Sequence, residues 1–178
     1  MSKVAIVTGS SGGIGRALVK TYLNCGYFVI GLDRKPFALL LSDAYVEIDI
    51  NLLMFSKDAQ YREDTLTKIK KNLPHKLTKL VIVNNAAEQI LKSVSEIEWS
   101  DWENSFAVNT VAPFFLVQGL IEQLKIAQGH VINISSIHAR LTKANFSCYA
   151  SSKSALESVT RSLALELSSH GIAINAVA

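Results

Sequence analysis

Cysteine is nearly missing from this chain: Cys25 and Cys148 are the two among 178 residues. They form no C-x-x-C pair, and at most one bridge could join them, so a disulfide framework is excluded and both thiols are expected to be reduced. Long apolar runs are missing too. No stretch approaches the roughly eighteen residues that a membrane helix requires. Met1-Ser-Lys3 leads straight into Val4-Ala-Ile-Val7, too short for a signal-peptide core, and the expected location is the cytoplasm. Charged residues are 19% of the chain against 49% hydrophobic, and the net charge of +3 is scattered, with no basic block. This composition excludes a disordered chain and gives neither nucleic acid nor a membrane surface a footprint. The histidines at 75, 130, 138 and 170 share no ligand spacing, and no metal is expected.

What is present is a pattern of alternation. A chain of 178 residues suits one core and one domain, 1–178. Short β-branched runs predict strands near 3–8, 27–33, 44–49, 79–84, 129–135 and 172–177, separated by stretches of helical period. That order is the signature of a parallel sheet with helices on both faces, an α/β fold. Ile14, Leu18 and Tyr22 are expected on one helical face, and Leu66, Ile69 and Leu73 on another. A helix over 101–126 carries Phe106, Val117, Leu120 and Leu124. A last helix over 149–169 carries Leu156, Val159, Leu163 and Leu167 as core or subunit contact. From Arg34 to Ala44 regularity fails at Pro36 beside an apolar Leu39-Leu-Leu41, and the stretch is expected to fold over the adenine end of a ligand.

The first strand ends in Thr8-Gly9-Ser10-Ser11-Gly12-Gly13-Ile14-Gly15 and enters a helix directly. Gly9 permits the tight turn, Gly13 lets the backbone approach a pyrophosphate, and Gly15 allows close packing of helix on strand. The helix start adds free amides and a positive dipole. A glycine cluster alone could be only a sharp turn. The second strand, Phe28-Val-Ile-Gly-Leu-Asp33, ends in a carboxylate where dinucleotide ribose hydroxyls would lie, and this order favours a dinucleotide site over a turn or cap.

Ser136, Tyr149 and Lys153 carry the chemistry. Tyr149 and Lys153 stand at i and i+4 of a helical stretch and share one face. Hydride transfer to a carbonyl leaves an alkoxide that needs an acid and an orienting donor. Tyr149 is the candidate acid, or the base in the oxidative direction. A phenol with a pKa of about 10 is helped by a nearby ammonium, which Lys153 is placed to supply. Ser136 is placed to donate to the substrate oxygen. Singly, these residues read as a core aromatic, a solvated lysine and a turn serine; together, behind a dinucleotide loop, they read as a site.

Thr-Gly-x-x-x-Gly-x-Gly, Asn84-Asn85-Ala86-Ala87, Asn109, Ser136 and Tyr149-x-x-x-Lys153 resemble the short-chain dehydrogenase/reductase family. The intervals of 27 residues from Asn109 to Ser136 and 13 from Ser136 to Tyr149 fit as well. The resemblance implies a doubly wound Rossmann fold of strand order 3-2-1-4-5-6 with the cofactor across the switch point. It also implies that Asn109 kinks its helix and holds a water linking Lys153 to solvent, and that Lys153 reaches the nicotinamide ribose. Cofactor contacts are implied at Gly9, Ser11, Gly13, Ile14, Gly15, Asp33, Arg34, Asp49, Ile50, Asn85, Ala86, Tyr149 and Lys153. A homodimer or homotetramer through helices 101–126 and 149–169 is implied in the same way.

Asp33 favours NAD over NADP, since a carboxylate accepts the ribose diol and repels a 2′-phosphate. Arg34 could pair with that phosphate or stack on adenine. His138, Arg140, Asn145, Phe146 and Cys148 are expected at the substrate mouth. Ala87 replaces a glycine of the family pattern. Asn175-Ala-Val-Ala178 stops where relatives continue into a Pro-Gly turn, a substrate cover and a seventh strand, so the chain is expected to be truncated relative to the family. The leading expectation is an oxidoreductase acting on a secondary alcohol or ketone. The alternatives are a dinucleotide-binding protein or remnant without turnover, and a structural role for the fold.

Overall fold

A computed structural model describes residues 3–35 and 42–178. The sequence alternation becomes a six-stranded parallel sheet of order β3-β2-β1-β4-β5-β6. The strands are β1 (Lys3–Thr8), β2 (Phe28–Asp33), β3 (Tyr45–Asp49), β4 (Lys79–Asn84), β5 (His130–Ile134) and β6 (Ala173–Val177). Each expected strand is found, with ends shifted by at most one residue. The chain runs outward from β1 to β3, then crosses back over β1 to β4, and this reversal opens a crevice beyond the strands' carboxyl ends.

Central strands are apolar on both faces because helices cover both. Val4 and Ile6 of β1, Ile30 and Leu32 of β2, and Leu80 and Ile82 of β4 belong to the larger core. Helices α2 (Leu52–Lys57), α3 (Ala59–Lys71), α5 (Ala112–Gly119), α6 (Ile121–Ala127) and α7 (Ser147–Leu167) supply Phe55, Leu66, Ile69, Leu116, Leu124 and Leu163 to it. The alternate residues Ala5, Val7, Val29, Val81 and Val83 meet Val19, Leu18 and Tyr22 of α1 (Gly13–Asn24). The stripe Leu156, Leu163 and Leu167 of α7 is buried core.

Several expectations need correction. Ile14 is 61% exposed and leaves the face of Leu18 and Tyr22, because the first turn of α1 opens onto the crevice. Leu73 lies beyond α3, although it still packs on the core. The continuous helix over 101–126 is interrupted. It comprises α4 (Trp99–Phe106), a π-helical turn (Ala107–Val111), α5 and α6, with a bend of 63° between the part ending at Gly119 and α6. The Ala112 amide donates to the Ala107 carbonyl five residues back, and Pro113 has no amide with which to restore the α register. Helix 149–169 begins earlier and ends as Ser147–Leu167, followed by a 3₁₀ turn. The stretch expected to cover adenine lies largely outside the described residues, at 36–41.

Among the described residues, no single helix is long and apolar enough to cross a membrane. The bent pair Trp99–Gly119 and Ile121–Ala127 passes by length and composition, but its Leu116, Val117, Leu120 and Leu124 are buried against the sheet. Cys25 and Cys148 are both free thiols.

Candidate active site

The crevice holds a cavity of about 600 Å³ over the ends of β1, β2 and β4. Gly9 turns the chain out of β1 at a φ of 65°, where a side chain would be strained and would press on Ala86 Cα. At Gly15 a Cβ would overlap the Gly9 carbonyl, whereas one at Gly13 would meet nothing within 4 Å. The loop is thus packed on its inner side and open on its outer side.

Side chains hold this shape. Thr8 Oγ1 accepts from the amides of Asn85 and Ala86 at 3.0 Å each, and Asn85 Nδ2 donates back to the Thr8 and Gly9 carbonyls. Asp33 accepts from the Ser11 amide at 2.9 Å and the Lys35 amide at 3.0 Å. Its carboxylate therefore orders the glycine loop while facing the cavity. Of the expected cofactor contacts, Gly9, Ser11, Gly13, Ile14, Asp33, Arg34, Ile50, Asn85 and Ala86 line the cavity. Gly15 lies behind it, and Asp49 is an exposed strand end paired in register with Asp33. Ala87 lines it with its extra methyl, as do Leu52, Glu88 and Val108, which sequence reasoning did not single out. Arg34 reaches toward Glu88 at 3.9 Å, with both side chains well exposed.

Tyr149 and Lys153 lie outside that lining, in the first two turns of α7. Lys153 is 1% exposed, and its Nζ donates to the Ile134 carbonyl at 2.7 Å and sits 5.9 Å from the Tyr149 ring centre. Ser136 follows β5 and caps a 3₁₀ turn, accepting from the His138 amide at 3.2 Å. Asn109 is fully buried in the π-helical turn. Its Oδ1 accepts from the Glu88 amide at 2.7 Å, while Nδ2 donates to the Glu88 carbonyl at 2.9 Å and to Ser152 Oγ at 2.9 Å. Ser152 in turn donates to the Tyr149 carbonyl at 2.8 Å. That buried serine escaped sequence reasoning because a serine inside a helix carries no signal of its own.

The expected substrate mouth is only partly as foreseen. The rings of His138 and Phe146 lie 4.2 Å apart, tilted by 40°, beside Tyr149. Cys148 points inward and is buried, and burial pushes its thiol up. Asn145 occupies a left-handed turn at a φ of 69°, with its carbonyl accepting from the Lys92 amide. Arg140 is largely exposed and pairs with Glu157 at 3.1 Å. Among the described residues no three His, Cys, Asp or Glu side chains converge as a metal cluster.

The family described as short chain dehydrogenase matches residues 3–178. This chain belongs to that family. Protein FixR of Bradyrhizobium diazoefficiens is 33% identical over 189 residues, an alignment covering 99% of this chain and 66% of that protein. The solved NADH complex of 4-hydroxyisoleucine dehydrogenase superposes with a TM-score of 0.84 at 25% identity, covering 98% of this chain and 74% of that one. A short-chain dehydrogenase/reductase family oxidoreductase from Brucella ovis, in complex with partially ordered NAD, gives a TM-score of 0.78 at 30% identity, covering 99% and 82%. The chain thus spans about two thirds of the length of protein FixR.

Desolvation lowers Lys153 from the usual 10.5 to about 8. Between these values the unfolded chain binds a proton that the folded chain does not, so stability rises with pH there. Below the folded value the cost of burying the charge remains, about 3 kcal/mol at 1.36 kcal/mol per pKa unit. Paired urea titrations of wild type and Lys153→Met are expected to show wild type gaining on the variant by roughly that amount as pH rises from about 7 to about 10.5. A gap independent of pH would refute this origin of the shift.

Proposed function

We propose that this chain, as one dinucleotide-binding domain, is an oxidoreductase that interconverts a secondary alcohol and a ketone with a nicotinamide cofactor. The observation that carries the reading is Lys153, a buried cation one helical turn from Tyr149, on a helix hydrogen-bonded to the end of β5 beside Ser136. The cavity fits a dinucleotide on its own terms: the backbone approaches closely at Gly9, space remains open at Gly13, and the first residues of α1, Gly13 and Ile14, line the opening. The bound cofactor supplies or accepts the hydride.

The chain's own residues do the rest. Tyr149 gives a proton to the carbonyl oxygen in reduction and takes it back in oxidation. Lys153 places positive charge beside the phenol and is near enough to neutrality to exchange its own proton. Ser136 donates to the substrate oxygen and holds it. Asn109, tied to Glu88 and Ser152, fixes the helix carrying it against the helix carrying Tyr149. The site is enclosed on one side by His138 and Phe146.

Asp33 at the cavity supports NAD, and so does the direction of Arg34, which faces Glu88. The apolar side chains of Ile126 on α6 and Leu165 on α7 are exposed, which supports assembly as a homodimer or homotetramer through helices 101–126 and 149–169.

Tyr149→Phe is expected to lower kcat for NADH-dependent ketone reduction by about 10²–10⁴-fold while NADH still binds; equal rates would sink the proposed acid. Fluorescence titration should find NAD at least tenfold tighter than NADP, a difference of about 1.4 kcal/mol, and Asp33→Asn should narrow it. Tighter NADP binding by the wild type would defeat the role given to Asp33. Light scattering should report two or four subunits, and a stable single-subunit mass at micromolar concentration would remove the assembly.

A further inference from the structure

We propose that Glu157 is a positioning residue for Ser136. The proposal rests on the oxidoreductase reading above and concerns a side chain one turn beyond Lys153 on α7. Glu157 is 8% exposed at its side chain. Its Oε1 accepts from Ser135 Oγ at 2.9 Å, and its Oε2 accepts from Arg140 Nε and Nη2, each at 3.1 Å. Ser135 and Arg140 stand on either side of Ser136 in the chain. One carboxylate therefore grips the loop before and after the hydroxyl that is to hold the substrate oxygen.

Ser136 itself is weakly held. Its side chain accepts one hydrogen bond, from the His138 amide of its own turn, which fixes the turn but not where the turn stands relative to Tyr149. Two other groups on α7 add to the same attachment. Lys153 Nζ donates to the Ile134 carbonyl and Ser154 Oγ to the Ala139 carbonyl at 2.6 Å. These bonds draw main-chain carbonyls toward the helix, but among the described residues only Glu157 binds side chains on both flanks. Tyr149, Lys153, Ser154 and Glu157 belong to one rigid helix, so the attachment registers the serine hydroxyl against the phenol.

The energetics favour a positioning role over simple cohesion. The Glu157 carboxylate is buried while the Arg140 guanidinium is largely exposed, so the ion pair contributes little net cohesion. What the carboxylate adds is direction, since charge-assisted hydrogen bonds fix distance and angle. Misplacing a reacting group by about 1 Å can cost on the order of 10²-fold in rate. A residue that touches neither substrate nor cofactor can therefore control turnover.

The test uses the full chain and the ketone, from a panel, that wild type reduces fastest with NADH. Glu157→Gln keeps an acceptor for Ser135 but loses the charge and offers Arg140 an amide; Arg140→Ala removes the other arm. Each is expected to lower kcat by about 10–100-fold with the NADH dissociation constant unchanged, and the double variant is expected to be no worse than the poorer single one. Arg140→Lys is expected to recover part of the loss. Wild-type kcat in folded Glu157→Gln, or losses that multiply in the double variant, would overturn the proposal while an inactive Tyr149→Phe keeps the parent reading. Ser135→Ala, which removes only the inner bond, carries the test if Glu157→Gln does not fold. A Tyr149→Phe variant as fast as wild type would instead strike the parent reading, and the role of Glu157 with it.

Discussion

The contact between Gly15 and the Gly9 carbonyl is the constraint on which the rest of the structure depends. Backbone meets backbone there with no room for a Cβ, so α1 can begin immediately beyond the central strand and aim its amides across the crevice. Beside it, the pairing of β1 with β4 brings Thr8 to the amides of Asn85 and Ala86, so the loops after the two strands share an anchor. Against this tight inner side of the loop stand the Ser11 amide bonded to Asp33 and the open face at Gly13.

The opposite wall is built by different physics. Around α7 the groups that matter are polar and buried: Lys153, Ser152, Glu157 and Thr160 are all nearly inaccessible. Each is satisfied by a specific partner on β5, the loop beyond it or the π-helical turn. Asn84 donates to Asn133, and Asn133 to Thr160, each at 2.8 Å, continuing a polar seam from β4 through β5 to α7. Such a seam is a poor source of stability but a good source of uniqueness, because each displaced member leaves a buried polar group without a partner.

Much of this was legible in the sequence, and the gaps have physical causes. The six strands were readable because a sheet covered on both faces turns β-branched runs into near-continuous apolar blocks. The glycine loop and Asp33 were readable because their spacing answers to backbone geometry, which few other residues tolerate. The resemblance implied a kink at Asn109, where the π-helical turn stands, but periodicity alone read 101–126 as one helix and missed the bend before α6; Pro113 gave no clear signal, because a proline just inside an apolar helical run is also compatible with a simple helix start. Ile14 was misplaced because periodicity cannot tell the first turn of a helix, which here faces a crevice, from the turns that face the sheet. Ser152, Glu88 and Glu157 were invisible for another reason. Their importance lies in partners 21 to 43 residues away in the chain, and no local pattern encodes such a meeting.

Asn109 illustrates how far a side chain can take over the work of a main chain. Its amide group accepts a hydrogen bond from the N–H of Glu88 and donates one to the C=O of the same residue, which is what a residue on a neighbouring strand would do. Beyond Asn84 the backbone has left the sheet, yet at Glu88 it meets a carboxamide that imitates one more rung of a ladder. Measured by the hydrogen bonds it completes, a residue inside a helix serves as the outermost strand partner of the loop that follows β4. A substitution at Asn109 is therefore an edit to the margin of the sheet as much as to the helix in which the residue is written.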